Sequence, residues 1–227
     1  MHDFALVSEG VTDHAILKSI LIGFFQQQRE PEVHREFPDP QAEKHIGGWT
    51  LVLKYLSDKK YRQAFQLNRF LIVQVDTDIA EDQGFNVARQ NENGPLPIEQ
   101  FIANVVARLR AEIDDQDWDV YSNRFIFAVG VNQLECWLLP LWLGNAGGEQ
   151  TVNCTIRLNR CPQLRDALDR KNFPWIHPDK KDFRSYEIAS KAYRRWATLD
   201  SDGPRNPSLA VFLNELNNRA IVLQPIE

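Results

Sequence analysis

Two apolar runs that each break off at acidic residues constrain this chain most. Phe4-Ala5-Leu6-Val7 gives way to Glu9-Gly10-Val11-Thr12-Asp13, and Phe70-Leu71-Ile72-Val73-Gln74-Val75 gives way to Asp76-Thr77-Asp78. Short apolar runs bounded by turn residues read as strands buried on both faces, the pattern of a parallel sheet. In an open α/β sheet the carboxyl ends of the strands share one edge, and ligands bind along it. Carboxylates delivered there from two strands suit a hard divalent cation such as Mg2+.

The other segments fit that architecture. After Gly10, Thr12 is placed to cap a helix with Asp13 in its first turn. Ala15, Ile16, Leu17, Ile20, Leu21 and Phe24 give that helix a broad buried face. A short edge strand is expected near Val33–Phe37, and a second helix from Trp49 to about Leu56. Residues 79–96 read as a long polar loop beside the second acidic motif. Pro97–Ile113 is an amphipathic helix, and Phe125–Val131 is a third buried strand. Leu134–Leu143 is apolar nearly all round and should be buried. Gly144–Gly148 reads as a hinge, with helices beyond it near Pro162–Lys171, Phe183–Leu199 and Ser208–Ala220. The alternation predicts an α/β fold, a mostly parallel sheet flanked by helices with a helical C-terminal appendage. The expected division is a metal-binding core over 1–145 and a basic, mainly helical region over 146–227.

A chain of 227 residues with 43% hydrophobic content suits one large domain, or a domain with an appendage. No apolar run reaches the length of a membrane span, so no membrane association is expected. Met1-His2-Asp3 lacks the basic start of a secretory signal. Cys136, Cys154 and Cys161 form neither a metal-ligand pattern nor an even-numbered framework, so a reducing cytoplasm is the expected compartment. The net charge of -5 opposes bulk attraction to nucleic acid, but the charge is unevenly spread. Residues 151–205 hold 12 Lys and Arg against 7 Asp and Glu, while the remainder holds 14 against 24. Acids for a cation and bases for a polyanion are what a phosphate-handling metal enzyme uses. A solvated face on a helical appendage has the same composition.

Alternate strand residues point to the same side, so Asp76 and Asp78 repel unless a cation or a proton intervenes. Glu9, just before a glycine that lets the backbone turn tightly, is a candidate acid/base or metal ligand. Asp13 and Glu135 are further candidate ligands. Each is equally well explained as an acid in a helical first turn, where the helix dipole favours it. Lys180, Lys181, Arg184, Lys191 and Arg194 are the candidate substrate-binding cations. The histidines show no ligand spacing, and no glycine-rich phosphate loop or hydrolase signature is present.

Leu6-Val7-Ser8-Glu9-Gly10-Val11-Thr12-Asp13 and Leu71-Ile72-Val73-Gln74-Val75-Asp76-Thr77-Asp78 together resemble the two motifs of the TOPRIM domain. That metal-binding fold is shared by topoisomerases, primases and several nucleases. The resemblance covers roughly residues 4–135. It implies Glu9 as acid/base or ligand, Asp76 and Asp78 as Mg2+ ligands, and Asp13 as a further carboxylate. The chain also looks like small stand-alone relatives of the OLD (overcoming lysogenization defect) nucleases, many of them anti-phage proteins. Glu135-Cys136-Trp137 is similar to their downstream acidic motif. Any ATPase or other defence-system partner would be a separate chain. The glycine that follows the aspartate pair in the family is displaced here to Gly84.

The expectation is thus a Mg2+- or Mn2+-dependent endonuclease acting on DNA or RNA. Two alternatives stay open. One is a toxin or effector subunit that is inactive without its partner. The other is a nucleotide-sugar transferase, since Asp-x-Asp after a strand also binds a metal-diphosphate.

Overall fold

A computed structural model describes residues 1–39, 47–144, 147, 149–176 and 182–225. Along the chain run β1 (His2–Val7), α1 (Val11–Phe24), β2 (Val33–Phe37), α2 (Trp49–Ser57), α3 (Tyr61–Leu67) and β3 (Asn68–Asp76). Then come β4 (Gln90–Asn91), β5 (Gly94–Pro95), α4 (Ile98–Arg110), α5 (Asp115–Tyr121) and β6 (Phe125–Gly130). The rest is helical: α6 (Leu139–Leu143), α7 (Cys154–Asn159), α8 (Pro162–Asp169), α9 (Phe183–Ser190), α10 (Trp196–Asp202) and α11 (Pro207–Asn218). Among the described residues no helix is long and apolar enough to cross a membrane.

The chain forms two compact units. One comprises Met1–Gly10 and Glu32–Asn132, the other Val11–Pro31 and Gln133–Glu227. This differs from a division at residue 145, because α1 makes its contacts with the C-terminal helices.

The first unit is the α/β one. Its four-stranded sheet has the order β2-β1-β3-β6, and every pairing is parallel. The three apolar strands take the inner positions and one edge. Polar VHREF forms β2 at the other edge, where side chains are half-buried or exposed. α2 and α3 pack against β3, and α4 packs against β6 through Phe101, Ile102, Val105 and Leu109. Two helices not legible in the sequence, α3 and α5, are tied together by Asp117. It accepts from Tyr61 Oη at 2.6 Å and from Arg62 Nε at 2.8 Å. The hydrogen bond from Arg62 holds the Asp117 carboxyl below its usual range. Burial, aided by that carboxylate, pushes the Tyr61 phenol up.

The second unit is helical. Gly23 of α1 lies against the Tyr193 carbonyl, where an added Cβ would sit 1.9 Å from the oxygen. Ser190 Oγ donates to Ser19 Oγ at 2.9 Å. Trp137 is fully buried, stacks on Phe212 and donates its indole N–H to Ser208 Oγ at 2.7 Å. The expected single helix over 183–199 is instead α9, a 3-10 turn over Lys191–Arg194, and α10. Extended Arg195 (φ -102°, ψ 122°) makes the break. α1 begins at Val11, so Thr12 lies inside its first turn rather than capping it. Cys136 and Cys154 form a disulfide, a correction to the expectation of no paired framework. The pairing follows from α7 packing against the turn over Leu134–Leu138. Cys161 remains a buried free thiol. Of the expected hinge, Asn145, Ala146 and Gly148 lie outside the described residues.

Candidate active site at the strand ends

Strand register brings two of the expected carboxylates together. Val7 of β1 pairs with Val73 of β3. Continuing that register two residues puts Glu9 beside the end of β3, at 3.2–3.4 Å of rise per residue. There the Glu9 carboxylate accepts the backbone N–H of Asp76 through Oε1 at 2.6 Å. The buried Gln74 amide serves both partners. Its Oε1 accepts from Glu9 N at 3.2 Å, and its Nε2 donates to Asp76 Oδ1 at 2.9 Å. A buried amide bonded on both sides ties the Glu9 backbone to the Asp76 carboxylate.

This constellation falls where such sheets bind ligands. The connection from β1 leads to β2 on one side, while β3 lies on the other. The crevice outside the carboxyl ends of β1 and β3 is therefore a topological switch point.

The surrounding backbone is pinned. Thr77 N donates to Gly130 O at 3.0 Å, and Asp78 N donates to Asn132 O at 3.0 Å. Asn132, itself in the left-handed region (φ 59°), donates its N–H to Thr77 Oγ1 at 2.8 Å. Arg89 reaches in from the loop, donating to Asn132 Oδ1 at 2.7 Å and to the Thr77 carbonyl. On the far side the loop at Gly47-Gly48 seats on Glu9, with Gly48 N donating to Glu9 O at 2.8 Å. A Cβ at Gly47 would lie 1.8 Å from that same oxygen, so glycine alone fits without a shift.

No family model, curated protein or solved structure matches this chain.

Glu9 is half-buried, Asp76 is buried and Asp78 is exposed at the mouth of the loop. Asp13 and Glu135 belong to the second unit. Both are buried, and Glu135 Oε1 accepts from Tyr186 Oη at 2.6 Å. Among the described residues no three of His, Cys, Asp and Glu converge tightly enough to enclose an ion by themselves. The donor set at the strand ends is instead a pair of hard oxygen ligands. That set fits Mg2+, which is commonly held by one or two carboxylates and completed by water and phosphate oxygens.

The expected cations divide. Lys180 and Lys181 lie outside the described residues. Arg184, Lys191 and Arg194 line one cleft of the second unit, joined there by Arg170 and Lys171. Sequence reasoning singled out neither of those two, and it missed Gln74 and Arg89. Gln74 did carry a signal, a polar side chain inside an otherwise apolar strand. Arg89, on a polar loop, carried none.

Proposed function

We propose that this chain is a Mg2+- or Mn2+-dependent nuclease hydrolysing nucleic-acid phosphodiesters. The observation that carries the reading is the seating of the Glu9 carboxylate on the end of β3 beside Asp76, at the switch point. The two TOPRIM-like motifs and their order along the chain support it. Glu9 and Asp76 would hold the ion, with Asp78 at the exposed rim; the other candidate carboxylates, Asp13 and Glu135, belong to the second unit. A divalent ion there supplies an activated water and neutralises charge on the scissile phosphate. Gln74 ties the Glu9 backbone to the Asp76 carboxylate. Glu9 is the group placed to accept a proton from the attacking water or to return one to the leaving oxygen. Arg184, Lys191 and Arg194 of the second unit are the candidate phosphate-binding cations.

By the same resemblance the setting is anti-phage defence, with a separate ATPase chain as a candidate partner. A cytoplasmic location belongs to this reading. Trapping of Cys136 and Cys154 as free thiols in intact cells supports it, and their recovery as a disulfide points to an oxidising compartment.

The test is cleavage of single- and double-stranded DNA and RNA, titrated with Mg2+ and Mn2+, by the wild type and by Glu9→Gln and Asp76→Asn. Metal-dependent cleavage that disappears in both variants, with circular dichroism unchanged, is the expected result. Undiminished cleavage in the variants, or none by the wild type on any substrate, defeats the reading.

A further inference from the structure

The basic cleft of the second unit adjoins a second, more apolar one. The first, about 480 Å³, is lined by Arg170, Lys171, Phe173, Arg184, Lys191 and Arg194. The second, about 510 Å³, is lined by Trp142, Ala192 and Arg195. Ala167, Ile188, Lys191 and Arg194 line both, so the clefts share a wall. Three separate stretches build them: α6, α8 with the turn after it, and α9 with the 3-10 turn that follows.

The two clefts differ in chemistry. The one carboxylate on the wall of the first is Glu187, and Arg194 takes it at 3.6 Å. Arg170, Lys171, Arg184 and Lys191 make no ion pair among the described residues. Four cations around a small cleft repel one another, and an anion with several charges relieves that repulsion. The second cleft offers Trp142, whose indole N–H is fixed by donation to Ala189 O at 2.8 Å. A part-exposed indole held in this way presents its ring, beside Ile188 and Ala167, to a flat apolar group. Aromatic bases stack on such rings with little sequence preference. Both volumes fall in the range of small-molecule sites, roughly 300–1,000 Å³.

A ligand filling both must be polyanionic at one end and flat and aromatic at the other. We propose that the paired clefts bind a nucleoside polyphosphate, with its phosphates among Arg170, Lys171, Arg184 and Lys191 and its base on Trp142. The proposal deepens the role that the nuclease reading gives these cations, but it needs no metal at the strand ends, so metal-free binding tests it apart from cleavage.

The experiment is calorimetric titration of the full chain, without divalent metal, with ATP, inorganic triphosphate and a 5′-phosphorylated octanucleotide. The variants are Arg184→Ala/Lys191→Ala and Trp142→Ala, with melting curves to confirm folding. The double variant should weaken ATP and triphosphate alike, by roughly tenfold or more for two lost phosphate contacts. Trp142→Ala should weaken ATP and leave triphosphate unchanged. Binding of the octanucleotide with the same variant sensitivity, and of ATP only weakly, overturns the polyphosphate assignment in favour of a strand end. Because Trp142 also packs within the fold, Trp142→Phe is the check; it should restore most of the ATP affinity. Failure of all three probes to bind overturns the proposal, as does ATP binding that the double variant leaves intact. ATP affinity no better than that of triphosphate and indifferent to Trp142 overturns the nucleoside half.

Discussion

The first unit collects carboxylates and the second collects cations, and they do so by different means. Glu9 and Asp76 are short side chains on neighbouring parallel strands. Sheet register, one buried glutamine and a ring of backbone hydrogen bonds fix their spacing. Arg170, Lys171, Arg184 and Lys191 are long, exposed side chains on separate helical segments, brought to one cleft by the docking of α8 against α9. A strand-end site is thus specified almost residue by residue. A helical basic cleft is specified only as firmly as the core beneath it.

That contrast can be broken from the second unit's side first. Trp137 is fully buried against Phe212, so Trp137→Ala should cost about 3–5 kcal/mol in urea unfolding, the range for deleting a large core aromatic. A loss under about 1 kcal/mol, the scale of an exposed substitution, would deny that this core organises the helical unit.

Next is the strand-end pair. Asp76→Ala should lower metal-dependent cleavage by roughly 10²–10³-fold, the scale for removing one group aimed at developing charge. Asp78→Ala should lower it as well while sparing stability, because Asp78 is exposed. If Asp78→Ala alone removes activity and Asp76→Ala does not, the exposed rim and not the register-fixed pair carries the chemistry.

A smaller effect separates two adjacent glycines. Gly47→Ala drives a Cβ into the Glu9 carbonyl and should cost about 1–3 kcal/mol, as overpacking does, with a further loss of cleavage. Gly48 has nothing within 4 Å of an added Cβ, and only its positive φ resists alanine. Gly48→Ala should therefore disturb stability by about 1 kcal/mol and leave Glu9 in place. Equal effects on cleavage would show that the seat on Glu9 is not what fixes the acid.

The smallest expected effect is on pH dependence. The Asp117 carboxyl titrates lower in the folded protein, so its contribution to stability is complete above the unfolded value of about 3.9. That contribution is lost as pH falls through the depressed folded value. Asp117→Asn should flatten the fall in urea midpoint between neutral and acid pH. An unchanged slope would mean that other carboxylates set the acid limb.

The three apolar strands, the polar edge strand at 33–37 and the amphipathic helix over 98–110 were legible because burial imposes periods of two and 3.6 residues. The placement of Glu9 and Asp76 at one sheet edge was legible for the same reason. α3, α5 and α7 were not, being only six or seven residues long, too short for a helical period to show. The break of the 183–199 helix at Arg195 left no mark either, since nothing local there is a helix breaker.

The amino-acid order alone determined a parallel sheet and delivered acids to its carboxyl edge, because strand burial and strand-end position are properties of nearest neighbours in the chain. Tertiary structure decided which acids meet, that Gln74 and Arg89 brace the strand ends, that Cys136 pairs with Cys154, and that cations from two stretches far apart along the chain line one cleft. Those outcomes depend on register and helix docking between segments far apart in sequence, and no local pattern encodes such distances.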